Sequence, residues 1–223
     1  MNDRAGRGGF VRNGVLAAVL ALAGCGEMAK SGLGSQMIGA LVPALAGAPV
    51  ARSALDFSPQ TIAANTSQFQ IFTINAIAVQ APARLIQDNG PGQTWASQSG
   101  FTASYRDGLL VATRGLGDDL MASDTGQVRA VLAAGGGAAQ RAVDVLDDFD
   151  HIETIRFACE IIAQGREVVD LGLRQPNLAK YEETCSSPKL VFTNIYWLDD
   201  AGEILQSRQF VSQTVAYLRS NRF

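Results

Sequence analysis

The chain of 223 residues has one histidine, three cysteines, two tryptophans and no cluster of Lys and Arg. Each scarcity removes a class of function. His151 stands at the start of an expected strand, beside a turn and without a Cys/His/Asp/Glu cluster at ligand spacing, so a metal site has little support. A Ser-His-Asp triad would have to use the same residue, and no Gly-x-Ser-x-Gly elbow presents a nucleophile to it. The net charge is −3 with no basic patch, which argues against nucleic acid, whose binding needs cations to neutralise phosphates. Gly115-Leu116-Gly117 lacks the third glycine of a dinucleotide fingerprint and the Lys-Ser/Thr of a P-loop. No cofactor is implied. The apolar run Val15 to Ala23 is nine residues long, too short to span a bilayer.

That short run has another meaning. Arg4, Arg7 and Arg12 precede it and Leu22-Ala23-Gly24-Cys25 ends it, the layout of a secretory signal peptide closed by a lipobox. Lipoprotein processing would alkylate the Cys25 thiol and cut before it, making Cys25 a lipidated N-terminus held in a membrane. Residues 1–24 would be removed, and since they hold three Arg and one Asp, the mature chain would carry a charge of −5. With no polybasic surface for anionic lipid, attachment falls to the acyl chains, each buried CH₂ adding about 0.8 kcal/mol.

With Cys25 committed to lipid, Cys159 and Cys185 form an even pair in an oxidising compartment, and a disulfide between them is expected. It would close a loop of about 26 residues and contribute roughly 3 to 4 kcal/mol in the chain-entropy model. Residues 25–64 read as a tether, rich in Gly and Ala and interrupted by Pro43, Pro49 and Pro59. A short helix through Met37, Ile38, Leu41, Val42 and Leu45 and a helical turn within 52–64 are both compatible with its spacing. Residues 65–223 read as one β-rich domain.

Within that domain the apolar period is two. Strands are expected around 69–75, 83–87, 94–97, 101–106 and 109–114, with Asp107-Gly108 as a tight turn. Asp124 and Gln127 read as a capping box opening a helix of about ten residues that ends at Gly135 to Gly137. Arg141 to Leu146 follows as a strand. Ile155, Phe157, Cys159 and Ile161 then share one strand face. Gln164-Gly165 reads as a turn into Val169, Leu171 and Leu173, and the segment at Tyr181 to Cys185 returns beside Cys159. Strands at 190–198 and 203–211 flank the turn Asp199 to Gly202. The pattern predicts a mainly β fold, an antiparallel meander closed into a barrel or sandwich with one or two short helices.

Candidate contact residues follow from chemistry. Sugar faces stack on aromatic rings, which brings forward Trp95, Tyr105, Tyr196, Trp197 and Tyr217, although strand aromatics more often pack in cores. Asp118 and Asp119 could serve a glycosidase, which needs two carboxylates about 5 to 10 Å apart across a sugar. Adjacent residues seldom face one site from opposite sides, so the favoured reading is that the glycines turn the chain after Arg114 and the aspartates cap a following helical turn.

Trp95-Ala-Ser, Tyr105-Arg-Asp-Gly-Leu-Leu-Val-Ala-Thr-Arg-Gly-Leu-Gly-Asp-Asp-Leu-Met-Ala-Ser-Asp124, Phe192-Thr-Asn-Ile-Tyr-Trp-Leu-Asp-Asp-Ala-Gly, Gln206-Ser-Arg-Gln-Phe-Val-Ser212 and Tyr217-Leu-Arg219 together resemble the YjbF family, also called the group 4 capsule polysaccharide lipoprotein GfcB family. The resemblance covers nearly the whole mature domain. It implies an outer-membrane lipoprotein, mainly β, that faces the periplasm and assists secretion or assembly of exopolysaccharide or capsule. The partners it implies are membrane lipid through Cys25, a polysaccharide, and an outer-membrane barrel or another export protein. It supplies no catalytic residues. Trp95, Tyr105, Arg114, Asp118 and Asp119 lie in family-like segments and are the candidate glycan or partner contacts. Gly26 after the lipidated cysteine fits the outer membrane. The expected function is therefore non-enzymatic. Its rivals are a polysaccharide-modifying hydrolase or lyase and a purely structural envelope protein.

Overall fold

The structure is a computed structural model and describes residues 55–146, 149 and 151–223. The signal peptide, the lipobox with Cys25, the tether before Leu55 and Asp147, Asp148 and Asp150 lie outside the described residues. Leu55 to Phe223 form one compact unit.

A short helix α1 (Pro59–Ala64) opens the described chain. Ser58 caps it by accepting from Thr61 N, and Pro59 occupies the first turn, where its missing N–H costs nothing. The proline thus starts this helical turn. Twelve strands follow: β1 (Phe69–Ile74), β2 (Val79–Asn89), β3 (Gly92–Ser97), β4 (Thr102–Arg106), β5 (Leu109–Arg114), β6 (Ala122–Asp124), β7 (Gly137–Leu146), β8 (Ile152–Val168), β9 (Asn177–Ser186), β10 (Val191–Leu198), β11 (Ile204–Ser212) and β12 (Ala216–Arg222). Helix α2 (Gly126–Ala133) joins β6 to β7.

The strands form one antiparallel sheet in the order β5-β4-β3-β2-β1-β12-β11-β10-β9-β8-β7-β6. Every neighbour except β1 and β12 is a neighbour in sequence, so local hairpins build two runs and the chain ends zip them together. The two edge strands, β5 and β6, are consecutive in the chain, and bringing them together curls the sheet into a nearly closed barrel. Closure removes the exposed edges an open sheet would present.

Alternation sets what fills the barrel. Phe72, Ile74, Trp95, Phe101, Ala103, Phe157, Cys159 and Ile161 are buried in the core. Val128 and Leu132 of α2 join them, so this helix plugs one end, where Arg129 also donates to the Gly202 carbonyl in the β10–β11 turn. At the same end the Asp107-Gly108 turn presses on β11. Gly108 has φ 79°, and a Cβ there would lie 2.8 Å from the Ile204 Cβ, so only glycine fits. Gln209 reaches from β11 to accept from Leu110 N at 2.8 Å and donate to the Gly108 carbonyl at 3.0 Å. A smaller apolar cluster of Val169, Leu171, Leu178, Trp197 and Leu205 packs separately.

Two local expectations change. Asp124 accepts from Gly126 N, and Gln127 accepts from Gln140 N in β7; no capping box forms, because tertiary pairing takes the Gln127 side chain. Gln164-Gly165 does not reverse the chain. The register slips there by one residue, Ala163 facing Tyr181 and Arg166 facing Ala179, and the left-handed Gly165 (φ 87°) absorbs the extra residue as a bulge. The reversal comes later, between Val168 and Asn177.

Candidate functional site

The end of the barrel opposite α2 holds a cavity of about 330 Å³, within the range of small-ligand sites. The β5–β6, β9–β10 and β11–β12 connections contribute Asp118, Leu190, Gln213 and Thr214 to its rim. Its walls include Val143, Phe157, Phe192 and Phe210, and its polar lining includes Ser123, Arg141 and Asn194. Phe192 stacks on Phe210 with centroids 4.7 Å apart.

Behind the cavity lies a buried polar cluster. Glu183 of β9 accepts from Arg141 Nε at 3.1 Å and Nη2 at 3.0 Å, from Asn194 Nδ2 at 2.7 Å and from Tyr196 Oη at 2.5 Å. Arg141 also donates to Ser123 Oγ and Tyr196 Oη, both at 3.2 Å, and Asn194 Oδ1 accepts from Phe210 N. Glu183 has no exposed surface and Arg141 only 5 %. A buried charge of either sign is tolerable only with such saturation. Burial pushes the Tyr196 phenol well above its ordinary value, and the adjoining Glu183 charge pushes it further. For Arg141, burial works to lower the value, but the Tyr196 and Glu183 oxygens outweigh it and leave it raised.

Cys159 and Cys185 face each other across β8 and β9 and are bonded. Among the described residues they and Glu183 are the one grouping with metal-ligand atom types. The sulfurs are consumed by their bond and the carboxylate by Arg141, so the donor set does not suit an ion.

Of the contact residues expected from the sequence, Trp95 and Tyr105 are 1 % and 6 % exposed. Their faces are spent on the core, Tyr105 stacking on Phe72 at 6.2 Å, and neither offers a solvent-facing platform. Tyr196 and Trp197 are also buried, on opposite sides of β10. Trp197 donates to Glu167 at 2.5 Å, while Tyr217 is half-buried beneath Arg208.

Arg114, Asp118 and Asp119 stay together at the barrel seam. Thr113 N donates to the Leu120 carbonyl at 2.9 Å, and Arg114 donates to the carbonyls of Leu120 and Met121. Asp119 accepts from Thr113 Oγ1 at 2.7 Å, Gly115 N at 2.8 Å and Leu116 N at 3.2 Å. The expected helical turn after Gly117 is absent. Asp119 caps the amides of the loop itself, because the loop must reverse tightly from β5 to reach β6. Asp118 is exposed on the cavity rim.

Sequence reading passed over Arg141, Glu183 and Asn194, although one signal was present. Glu183 shares the parity of Cys185, and Arg141 that of Val143. Charge at an inward position demands a partner, and the disulfide identifies the inward face of β9.

No helix among the described residues is long and apolar enough to cross a membrane. The structure of the hypothetical lipoprotein YmcC from Escherichia coli resembles this fold with a TM-score of 0.61, at 22 % identity, over 73 % of this chain and 86 % of that one. A putative exported protein with YmcC-like fold from Bacteroides fragilis aligns at 14 % identity over 70 % of this chain and 93 % of that one, with a TM-score of 0.26. No curated protein matches the chain. The family described as group 4 capsule polysaccharide lipoprotein GfcB, YjbF matches residues 38–222, a span containing the whole barrel and all the resembling segments, and the chain belongs to that family.

Proposed function

We propose that this protein is a non-enzymatic accessory of capsule or exopolysaccharide secretion, lipidated at Cys25, anchored in the outer membrane and facing the periplasm, and that it acts by binding. Family membership supports the polysaccharide role. The observation that carries the non-enzymatic reading is the state of the carboxylates at the barrel mouth and behind it. Glu183 is saturated by four donor contacts from three residues, and Asp119 is held by three donors from the end of β5 and its own loop. Among the described residues that line the cavity, Asp118 is then the one carboxylate not so engaged, and hydrolysis across a sugar ring requires two.

Deleting the gene should lower surface polysaccharide, and complementation with the native chain should restore it while a Cys25→Ala chain should not. Unchanged surface polymer on deletion would sink the role. The full-length protein, incubated with the organism's own polymer, should leave its length unchanged; shortening abolished by Asp118→Asn would favour the hydrolase or lyase instead.

A further inference from the structure

A second hollow, of about 340 Å³, lies on the outer wall of the barrel near the β11–β12 turn, lined by Thr73, Asn75, Gln80, Tyr217 and Asn221 together with Arg208 and Arg219. Strand pairing places Gln80 opposite Thr73, Thr73 opposite Arg219, and Arg219 opposite Arg208, one row across four strands. Leu218 and Ser220, on either side of Arg219, are buried while Arg219 is exposed, so the row faces outward.

Two features of this row are costly as they stand. Arg208 and Arg219 are directly opposed like charges, a destabilising pair on antiparallel strands. Elsewhere on the wall Lys180, Lys189 and Arg222 each have an acidic partner; among the described residues no carboxylate lines this hollow and neither arginine forms an ion pair. Arg208 is fixed in place, its guanidinium 4.2 Å from the Tyr217 ring centroid and Nη2 donating to the Thr193 carbonyl. Its Nε is nevertheless buried without a partner, a donor for which burial normally supplies an acceptor. An anion in the hollow would answer the opposed charges. The hydroxyl and amides of Thr73, Asn75, Gln80 and Asn221 surround space larger than a lone oxyanion fills and match the hydroxyls of a sugar.

We infer that the hollow bounded by Arg208 and Arg219 is a binding site for a carboxylate-bearing saccharide unit, a hexuronate residue of an acidic polysaccharide. The arginines hold the carboxylate, and the Thr73, Asn75, Gln80 and Asn221 side chains take the ring hydroxyls. This inference rests on the polysaccharide role proposed above and names the chemistry of the polymer.

Calorimetry on the full lipidated chain in detergent micelles, with tetramers of galacturonate, glucuronate and mannuronate as probes and maltotetraose as the neutral control, tests it. At least one hexuronate should bind, more weakly as salt rises, and maltotetraose should not. Arg219→Gln removes one of the two opposed charges from an exposed position, so it should not lower the melting temperature while weakening binding about tenfold or more. Arg208→Lys, which keeps charge but loses the planar fork, should weaken it less. Absence of hexuronate binding, equal binding of maltotetraose, an affinity untouched by Arg219→Gln, or complete competition by equimolar inorganic phosphate would each overturn the inference. If deletion removes surface polymer while no hexuronate binds, the export role stands and this site falls.

Discussion

The two sides of the barrel interior are built on different principles. Beside β1 to β5 the space is filled by aromatic and aliphatic groups, with Phe72 stacked on Phe101 at 5.6 Å and Trp95, Leu109 and Leu110 essentially without exposure. Beside β7 to β10 the interior holds the mouth cavity, and behind it the Arg141–Glu183 pair, Asn194, Tyr196 and the disulfide. A filled half is stabilised by burial distributed over many contacts. A half that keeps open space has fewer such contacts, and its strands are held by directional bonds and one covalent link. The cavity and the buried polar cluster therefore go together: open space, with walls fixed by bonds that need no filling.

The largest test of that contrast is Glu183→Ala. It leaves Arg141 charged and unpaired at 5 % exposure, and urea unfolding should register a loss of about 3 to 5 kcal/mol. A loss below about 1 kcal/mol would mean that the pair contributes no more than a surface one. Replacing both Cys159 and Cys185 by serine frees a loop with a sequence separation of 26 and should cost roughly 3 kcal/mol; amide exchange should quicken first in β8 and β9 and leave β1 to β5 protected. Exchange rising equally in both halves would break the comparison.

Next in size are the two tyrosines. Tyr196→Phe removes a donor to a buried carboxylate and should cost about 1.5 to 3 kcal/mol, whereas Tyr105→Phe on the filled side should cost about 0.5 to 1.5. Both phenols are raised above their ordinary value, Tyr105 by burial and Tyr196 by burial and then by Glu183. A phenol raised on folding contributes stability that is whole below its unfolded value of about 10 and is lost as pH rises above it. Stability measured between pH 8 and 11 should thus be level at first and fall above about pH 10, and either Phe variant should flatten part of that fall. A decline already complete by pH 9 would contradict the assignment. The smallest effect belongs to the seam. Asp119→Asn keeps the shape but leaves one acceptor oxygen where the carboxylate uses two, so at least one of its three hydrogen bonds is lost, and a loss of about 1 kcal/mol is expected in the same unfolding assay.

Much of this architecture was legible from local chemistry. Period-two alternation located most of the strands but passed over β6 and β12, Asp107-Gly108 and Asp199 to Gly202 located two hairpins, and cysteine arithmetic paired Cys159 with Cys185. The Arg114 to Asp124 segment drew attention for its charge and glycines. Its work is to close the sheet, a role that requires β5 and β6 to be known as the two edges. The capping box at Asp124 and Gln127 failed because a competing partner, Gln140 N, comes from another strand, and Trp95 and Tyr105 failed as contacts because alternation says which residues share a face without saying which face is inside.

The sequence by itself determined most of the strand positions, the Asp107-Gly108 and Asp199 to Gly202 turns, the covalent pair and, through its resembling segments, the family, since each is written in neighbouring residues or in the chemistry of a few side chains. Only the tertiary structure decided that Arg141 meets Glu183 across 42 positions, that β1 zips to β12, and that Arg208 is set against Arg219 on the outer wall. Those outcomes depend on register and closure. They are fixed by the pairing of whole strands and the direction in which the sheet curls, and no stretch of sequence contains that information alone.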